Sequence, residues 1–208
     1  MAHPQQFFYV QALKKFLPEY FEGRRILEIG SLNLNGSIRQ FFQNCNYTGL
    51  DIGEGNDVDV VCFGEDYGSA SSQFDMVVSC EAMEHNPGWK KTWLNMLRMV
   101  KPSGVVAMTC ATIGRQQHGT EEFNPTASPL TVEKKQNYYQ NLMAEDFNTI
   151  LNHDSWFVQH SFNSDFQSRD LYFFGVGHDA SPDTVSRAIA LKQSLAKYYH
   201  DKNVLGRY

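Results

Sequence analysis

Apolar residues fall along this chain in short blocks separated by polar turns, and the spacing within each block sets the expected element. From 5 to 21, Phe7, Val10, Leu13 and Leu17 recur at helical intervals until Pro18 or Gly23 ends the run. Blocks near 25–30, 46–52, 58–61, 74–80 and 104–110 are too short for helices and read as buried strands. Helical patterns near 36–43 and 88–100 lie between them. Strand and helix in alternation predict a mostly parallel sheet with helices on both faces. Residues 111 to 135 break this rhythm: Gly114, Gly119, Pro125 and Pro129 interrupt a polar stretch, and a loop this long tends to carry function. A helix is expected over 136–152. Runs 155–162 and 170–176 then read as a hairpin, and a last amphipathic helix over 183–200 places Val185, Ile189, Leu195 and Tyr199 on one face.

Composition narrows the class. At 208 residues the chain reads as one domain, 1–208, with an N-terminal helical segment 1–23 and an insertion at 111–152. The net charge of −5 argues against a nucleic-acid partner, whose phosphates call for cationic surface. No run reaches the roughly eighteen apolar residues of a membrane span, and no charged-then-apolar leader opens the chain. Cys45, Cys62, Cys80 and Cys110 stand apart, as expected of reduced thiols in a cytoplasmic protein without zinc.

The densest chemistry is in 24–36, R-R-I-L-E-I-G-S-L-N-L-N-G. An apolar strand delivers Glu28 and then Gly30 into a turn that reaches Gly36, the point at which an α/β sheet receives a nucleotide-like ligand. A fixed negative charge at Glu28 disfavours phosphate and suits a cationic ligand. Asp51 ends the next strand about twenty residues further on, where a carboxylate can accept both ribose hydroxyls. A cationic nucleoside fits both acids, and S-adenosylmethionine is one.

Five fragments in register extend this pattern: Glu28-Ile29-Gly30, Asp51, Phe74-Asp75-Met76-Val77, Glu84-His85 and Lys101-Pro102-Ser103-Gly104. Together they resemble the class I S-adenosylmethionine-dependent methyltransferases, in particular the type 11 small-molecule group, over residues 24–110 with a weaker echo to 178. The segment from His118 to Leu142 is similar to an insertion in a bacterial and phage subgroup. The resemblance implies a Rossmann-like seven-stranded α/β sheet closed by a C-terminal antiparallel hairpin strand. It also implies S-adenosylmethionine as methyl donor and S-adenosylhomocysteine as product.

On that resemblance Glu28 holds the methionine end, Gly30 and Ser31 allow close backbone approach, and Gly36 opens a helix whose amides face the ligand. Asn33 or Asn35 turns toward the cofactor in a loop longer than the usual G-x-G-x-G. Asp51 and Ile52 hold the ribose. Where relatives carry Gly-Asp-Ala, this chain has Cys62-Phe63-Gly64, so adenine is met either by stacking on Phe63 or by a polar contact from Glu65 or Asp66. Cys80 and Glu81, at the end of the fourth strand, border the cofactor's amino-acid end and methyl.

Methyl transfer is an in-line displacement that relies on alignment, and a hydroxyl acceptor also needs its proton removed. His85, His118 and Glu84 are the catalytic candidates. Glu81-x-x-Glu84-His85 is also similar to the metal-binding segment of small-RNA 2′-O-methyltransferases and some ubiquinone-pathway O-methyltransferases. On that likeness Glu81, Glu84, His85 and His118 would hold magnesium or manganese, although the same pattern occurs without metal and a metal-free site is the favoured expectation. Tyr138, Tyr139 and Asn141 suit the wall of a small-molecule or glycan acceptor site. The expected activity is O-methylation of such an acceptor. The alternatives are an RNA 2′-O- or other nucleic-acid methyltransferase, a nicotinamide oxidoreductase (which lacks its G-x-G-x-x-G here), and a non-catalytic cofactor-binding module.

Overall fold

A computed structural model describes residues 4–68 and 70–207. Seven strands, β1 Arg25–Ile29, β2 Asn46–Asp51, β3 Val60–Val61, β4 Phe74–Cys80, β5 Val100–Ala111, β6 Phe157–Asp165 and β7 Asp170–Gly177, form one sheet in the order β3-β2-β1-β4-β5-β7-β6. The first five run parallel; β7 is antiparallel to both β5 and β6. The expected Rossmann-like α/β sheet with its C-terminal antiparallel hairpin strand is therefore present.

Alternating side chains send each strand's residues into two cores. On one face Ile26, Met76, Val78 and Tyr172 meet Tyr9, Val10 and Leu13 of α1 (Pro4–Phe16) and Leu191, Leu195 and Tyr199 of α5 (Pro182–Leu205). On the other, Leu27, Val77, Met108 and Phe173 meet Trp93 and Leu97 of α2 (Trp89–Met99) and Phe147 of α4 (Ala144–Asn148). Trp93 anchors that side, with its ring edge-on to Phe147 at 5.1 Å and to Phe173 at 5.0 Å. No helix among the described residues is long and apolar enough to cross a membrane.

Four local expectations need correction. After the glycine turn there is only a 3-10 turn, Ile38–Phe41, in place of a helix over 36–43. Phe41 packs against Phe7 and Phe42 stacks on Phe21 at 4.6 Å, which pulls the chain out of helix and into β2. The amide of Gly36 is donated to Asn33 Oδ1 at 2.9 Å, so Gly36 opens no helix. The Lys101–Gly104 turn lies inside β5 as an irregularity: Val100 pairs with Phe74 and Val105 with Met76. Lys101 is held there by Asp75 at 2.7 Å.

The helix expected over 136–152 is extended until α4 begins. Gln140 donates its amide to the Glu84 carbonyl and Leu142 donates to Ala111, both at 2.9 Å, and these tertiary bonds outweigh weak local helix propensity. A short helix, α3 (Pro129–Glu133), forms within the preceding loop. In α5 the buried face is Ala188, Leu191, Leu195 and Tyr199, while Ile189 is 40% exposed. Leu195 and Tyr199 are buried as expected, and Ala188 and Leu191 take the places expected of Val185 and Ile189.

Candidate active site

The carboxyl ends of β1, β2 and β4 open onto a cleft. Its walls come from Ile29, Leu50 and Met83, and α3 lays Leu130 across it. Gly30 turns the chain after β1 with φ +80°, and a Cβ there would collide with Ala82 at the end of β4. Only glycine lets the two turns pass this closely. The Gly30 and Ser31 amides both donate to the Leu50 carbonyl, which ties this loop to β2.

Asp51 sits in the cleft with each oxygen engaged by one amide: Oδ2 accepts from Leu32 at 2.9 Å and Oδ1 from Ile52 at 2.8 Å. Each oxygen keeps a further lone pair. Burial raises its pKa, against the lowering effect of those amides. Gly30, Asp51, Ile52, Phe63 and Glu81 all line the cleft. Phe63 is 37% exposed there. Glu65 accepts from the Thr92 hydroxyl at 2.7 Å and from Asn86, while Asp66 is exposed.

Other sequence candidates lie elsewhere. Glu28 shares the face of Ile26, is almost fully buried, and accepts the Tyr47 hydroxyl at 2.7 Å. Burial lifts its carboxyl to about 7. Ser31 is buried, Cys80 is buried in the core packed by α1 and α5, and Asn35 is exposed. Asn33 braces the loop, donating to Asp57 at 2.9 Å. None of these lines the cleft.

A second cavity adjoins the first and shares Glu81, His85 and Ala127 with it. Its lining is polar, with Arg115, Gln116, Gln117, His118, Asn124 and Thr126. Glu81 holds a left-handed backbone, φ +55°, a conformation that non-glycine residues adopt mainly at functional turns. Its Oε1 accepts from Thr109 at 2.9 Å.

The next turn, Met83–His85, brings the catalytic candidates together. Glu84 is fully buried. Its Oε1 accepts the Ala111 amide at 3.1 Å, and burial raises its pKa to about 7. The His85 ring stands 4.9 Å from that of His118, edge-on, and both lie beside Tyr139. Burial lowers His85 to about 3, with His118 adding to the effect, and burial also lowers His118. Both rings are therefore neutral at neutral pH. The Gln116 carbonyl lies 2.9 Å from His118 Nδ1. A carbonyl can only accept, so that nitrogen carries the proton and Nε2 keeps its lone pair. Gly119, at φ +67°, lets the loop close on this pair: a Cβ there would sit 2.6 Å from His85 Cε1.

One ligand atom each from Glu84, His85 and His118 lie within 4.8 Å of one another. Glu84 Oε2 and His85 Nδ1 are buried without a hydrogen-bond partner among the described residues. Glu81 does not join this group. The Tyr139 hydroxyl donates to Asn141 at 2.8 Å, and Asn141 donates to the Arg115 carbonyl. These two residues thus brace the wall of the second cavity, while Tyr138 bonds to Gln140. Sequence reasoning did not single out Gln6, Tyr47, Thr109, Arg115 or Asp170. A buried glutamine on the apolar face of α1 was the one available signal.

No protein-family model matches the chain, and neither does any curated protein sequence. Solved structures do match. Phosphoethanolamine N-methyltransferase 2 of Haemonchus contortus, in complex with S-adenosyl-L-methionine, aligns with TM-score 0.58 and 17% identity over 84% of this chain. The chain spans about half of that enzyme's length (52%). The 1,6-didemethyltoxoflavin-N1-methyltransferase of Burkholderia thailandensis, with S-adenosylhomocysteine bound, gives 0.51 and 12% over 86% of this chain and 92% of its own. NodS, an N-methyltransferase of Bradyrhizobium japonicum, gives 0.51 and 14% over 83% and 96%. The chain has the fold of the S-adenosylmethionine-dependent methyltransferases.

Proposed function

We propose that this protein is an S-adenosylmethionine-dependent methyltransferase acting on an oxygen of a small molecule or glycan. The observation that carries this reading is the meeting of two cavities at Glu81 and His85. One is walled by apolar residues around Asp51, and the other is polar and holds His118. S-adenosylmethionine supplies a methyl group on a sulfonium and leaves as S-adenosylhomocysteine. Asp51 is suited to both ribose hydroxyls, Phe63 to the adenine face, and Glu81 to the cationic methionine end. The acceptor occupies the polar cavity. As its oxygen bonds to the methyl carbon and the C–S bond breaks toward sulfur, its hydroxyl proton passes to His118 Nε2. Tyr139 and His85 hold the His118 ring in place.

A second version of the same site has a divalent ion on Glu84, His85 and His118, which would polarise the acceptor hydroxyl. Two buried, unpartnered ligand atoms favour it, and one oxygen with two imidazoles suits manganese or magnesium. The test is transfer of tritiated methyl from labelled S-adenosylmethionine to a panel of phenols, hydroxy acids and oligosaccharides, with and without EDTA. Labelling that resists chelation and falls about 100-fold or more in His118→Ala supports the direct base. Labelling lost to EDTA and restored by manganese supports the ion. Full labelling by His118→Ala without metal contradicts both.

A further inference from the structure

Gln6 is wholly buried on α1, among Tyr9, Val10 and Leu13, where packing alone calls for an apolar side chain. Its Nε2 donates to Glu81 Oε1 at 3.0 Å and approaches Asp170 Oδ2 at 3.5 Å. Both carboxylates are buried. Thr109 adds a donor to the same Glu81 oxygen, Tyr172 donates to Asp170 Oδ2 at 3.1 Å, and Arg115 pairs with Asp170 Oδ1 at 2.9 Å. An amide nitrogen offers two protons to two acceptors here, which neither a carboxylate nor an alkyl chain at this position can do. Glu81 also lines both cavities at their junction.

We propose that Gln6 is a positioning residue: through its amide the N-terminal helix sets the Glu81 carboxylate at the junction of the cofactor cleft and the polar cavity. The proposal rests on the reading of the cleft as an S-adenosylmethionine site. Without the amide, Glu81 Oε1 keeps the Thr109 hydroxyl but loses the Gln6 donor, and the carboxylate shifts toward the cavity or takes a proton. The cofactor's cationic end then meets a misplaced or neutral partner. Gln6 lines neither cavity, and of its two carboxylate partners Glu81 is the one that lines the cofactor cleft.

The test is a double-mutant cycle read by calorimetric titration with S-adenosylhomocysteine on wild type, Gln6→Met, Glu81→Gln and the double variant, with thermal unfolding of each. Methionine matches glutamine in length and keeps the packing. Gln6→Met should weaken S-adenosylhomocysteine by about tenfold while still unfolding cooperatively, and the double variant should bind no worse than Glu81→Gln alone. Gln6→Asn keeps an amide one methylene short and should show the same loss. Affinity in Gln6→Met within about twofold of wild type, or losses that multiply in the double variant, overturns the proposal. So does failure of both Gln6 variants to unfold cooperatively, since the amide would then support the fold as a whole. Wild type that binds no S-adenosylhomocysteine would sink the parent reading instead.

Discussion

The sequence points to Glu28 for the methionine end of a cofactor, and the fold buries it away from the cleft lining. Its place two residues before Gly30 points to a ligand, yet strand alternation puts it on the face of Ile26, against Tyr47. That alternation was legible in the sequence; the identity of the residue facing it across the sheet was not. Its burial has a pH signature. Below about 4.5 the carboxyl is protonated whether the chain is folded or unfolded. As pH rises from 4.5 to about 7 the unfolded chain ionises while the folded one keeps its proton, so stability falls across that window and levels off above it. The full penalty is on the order of 3 kcal/mol. Glu28→Gln keeps an acceptor for the Tyr47 hydroxyl and removes the charge. In urea denaturation it should exceed wild type by about 1–3 kcal/mol near pH 8, with the gap closing near pH 5. A gap of the same size at both pH values would show that folding does not raise the Glu28 pKa above its value in the unfolded chain.

At the scale of elements, strands were easier to foresee than helices. Strands read as short apolar runs, and all seven fall close to where the pattern places them. The helices over 36–43 and 136–152 failed because long-range partners decide those segments: Phe21 and Phe7 in the first, the Glu84 and Ala111 carbonyls in the second. No local window contains such partners. The same bonding to Glu84 draws segment 111–152 over the site, where Leu130 of α3 packs on Gly53 and walls the cleft. If this insertion covers the bound cofactor, Leu130→Ala removes apolar surface from the contact. S-adenosylhomocysteine should then bind about three- to tenfold more weakly, with little change in melting temperature. Unchanged affinity in that variant would place the cofactor away from α3.

Across the whole molecule, the order β3-β2-β1-β4-β5-β7-β6 brings together residues far apart in sequence. Gly30 and Asp51 meet at the ends of adjacent strands. Glu81 meets Gln6 and Thr109 across the sheet, and His118 reaches back to His85. The two acids and the E-x-x-E-H turn were visible as motifs. The polar bridge from α1 was not, because it depends on topology rather than spacing. The two cores hold this sheet from both sides, and Trp93→Ala should cost about 3–5 kcal/mol in urea denaturation by emptying the α2 side. A cost below about 1 kcal/mol would mean that Trp93 is not the anchor of that core.

On the proposed function, the Asp51 carboxylate at the end of β2 holds a sulfonium nucleoside in the cleft. Calorimetric titration with S-adenosylhomocysteine, wild type against Asp51→Ala, tests it most directly. The prediction is saturable one-to-one binding on the order of micromolar, weakened about tenfold or more by the substitution. No binding by a wild-type protein that unfolds cooperatively, or equal binding by both proteins, would contradict it.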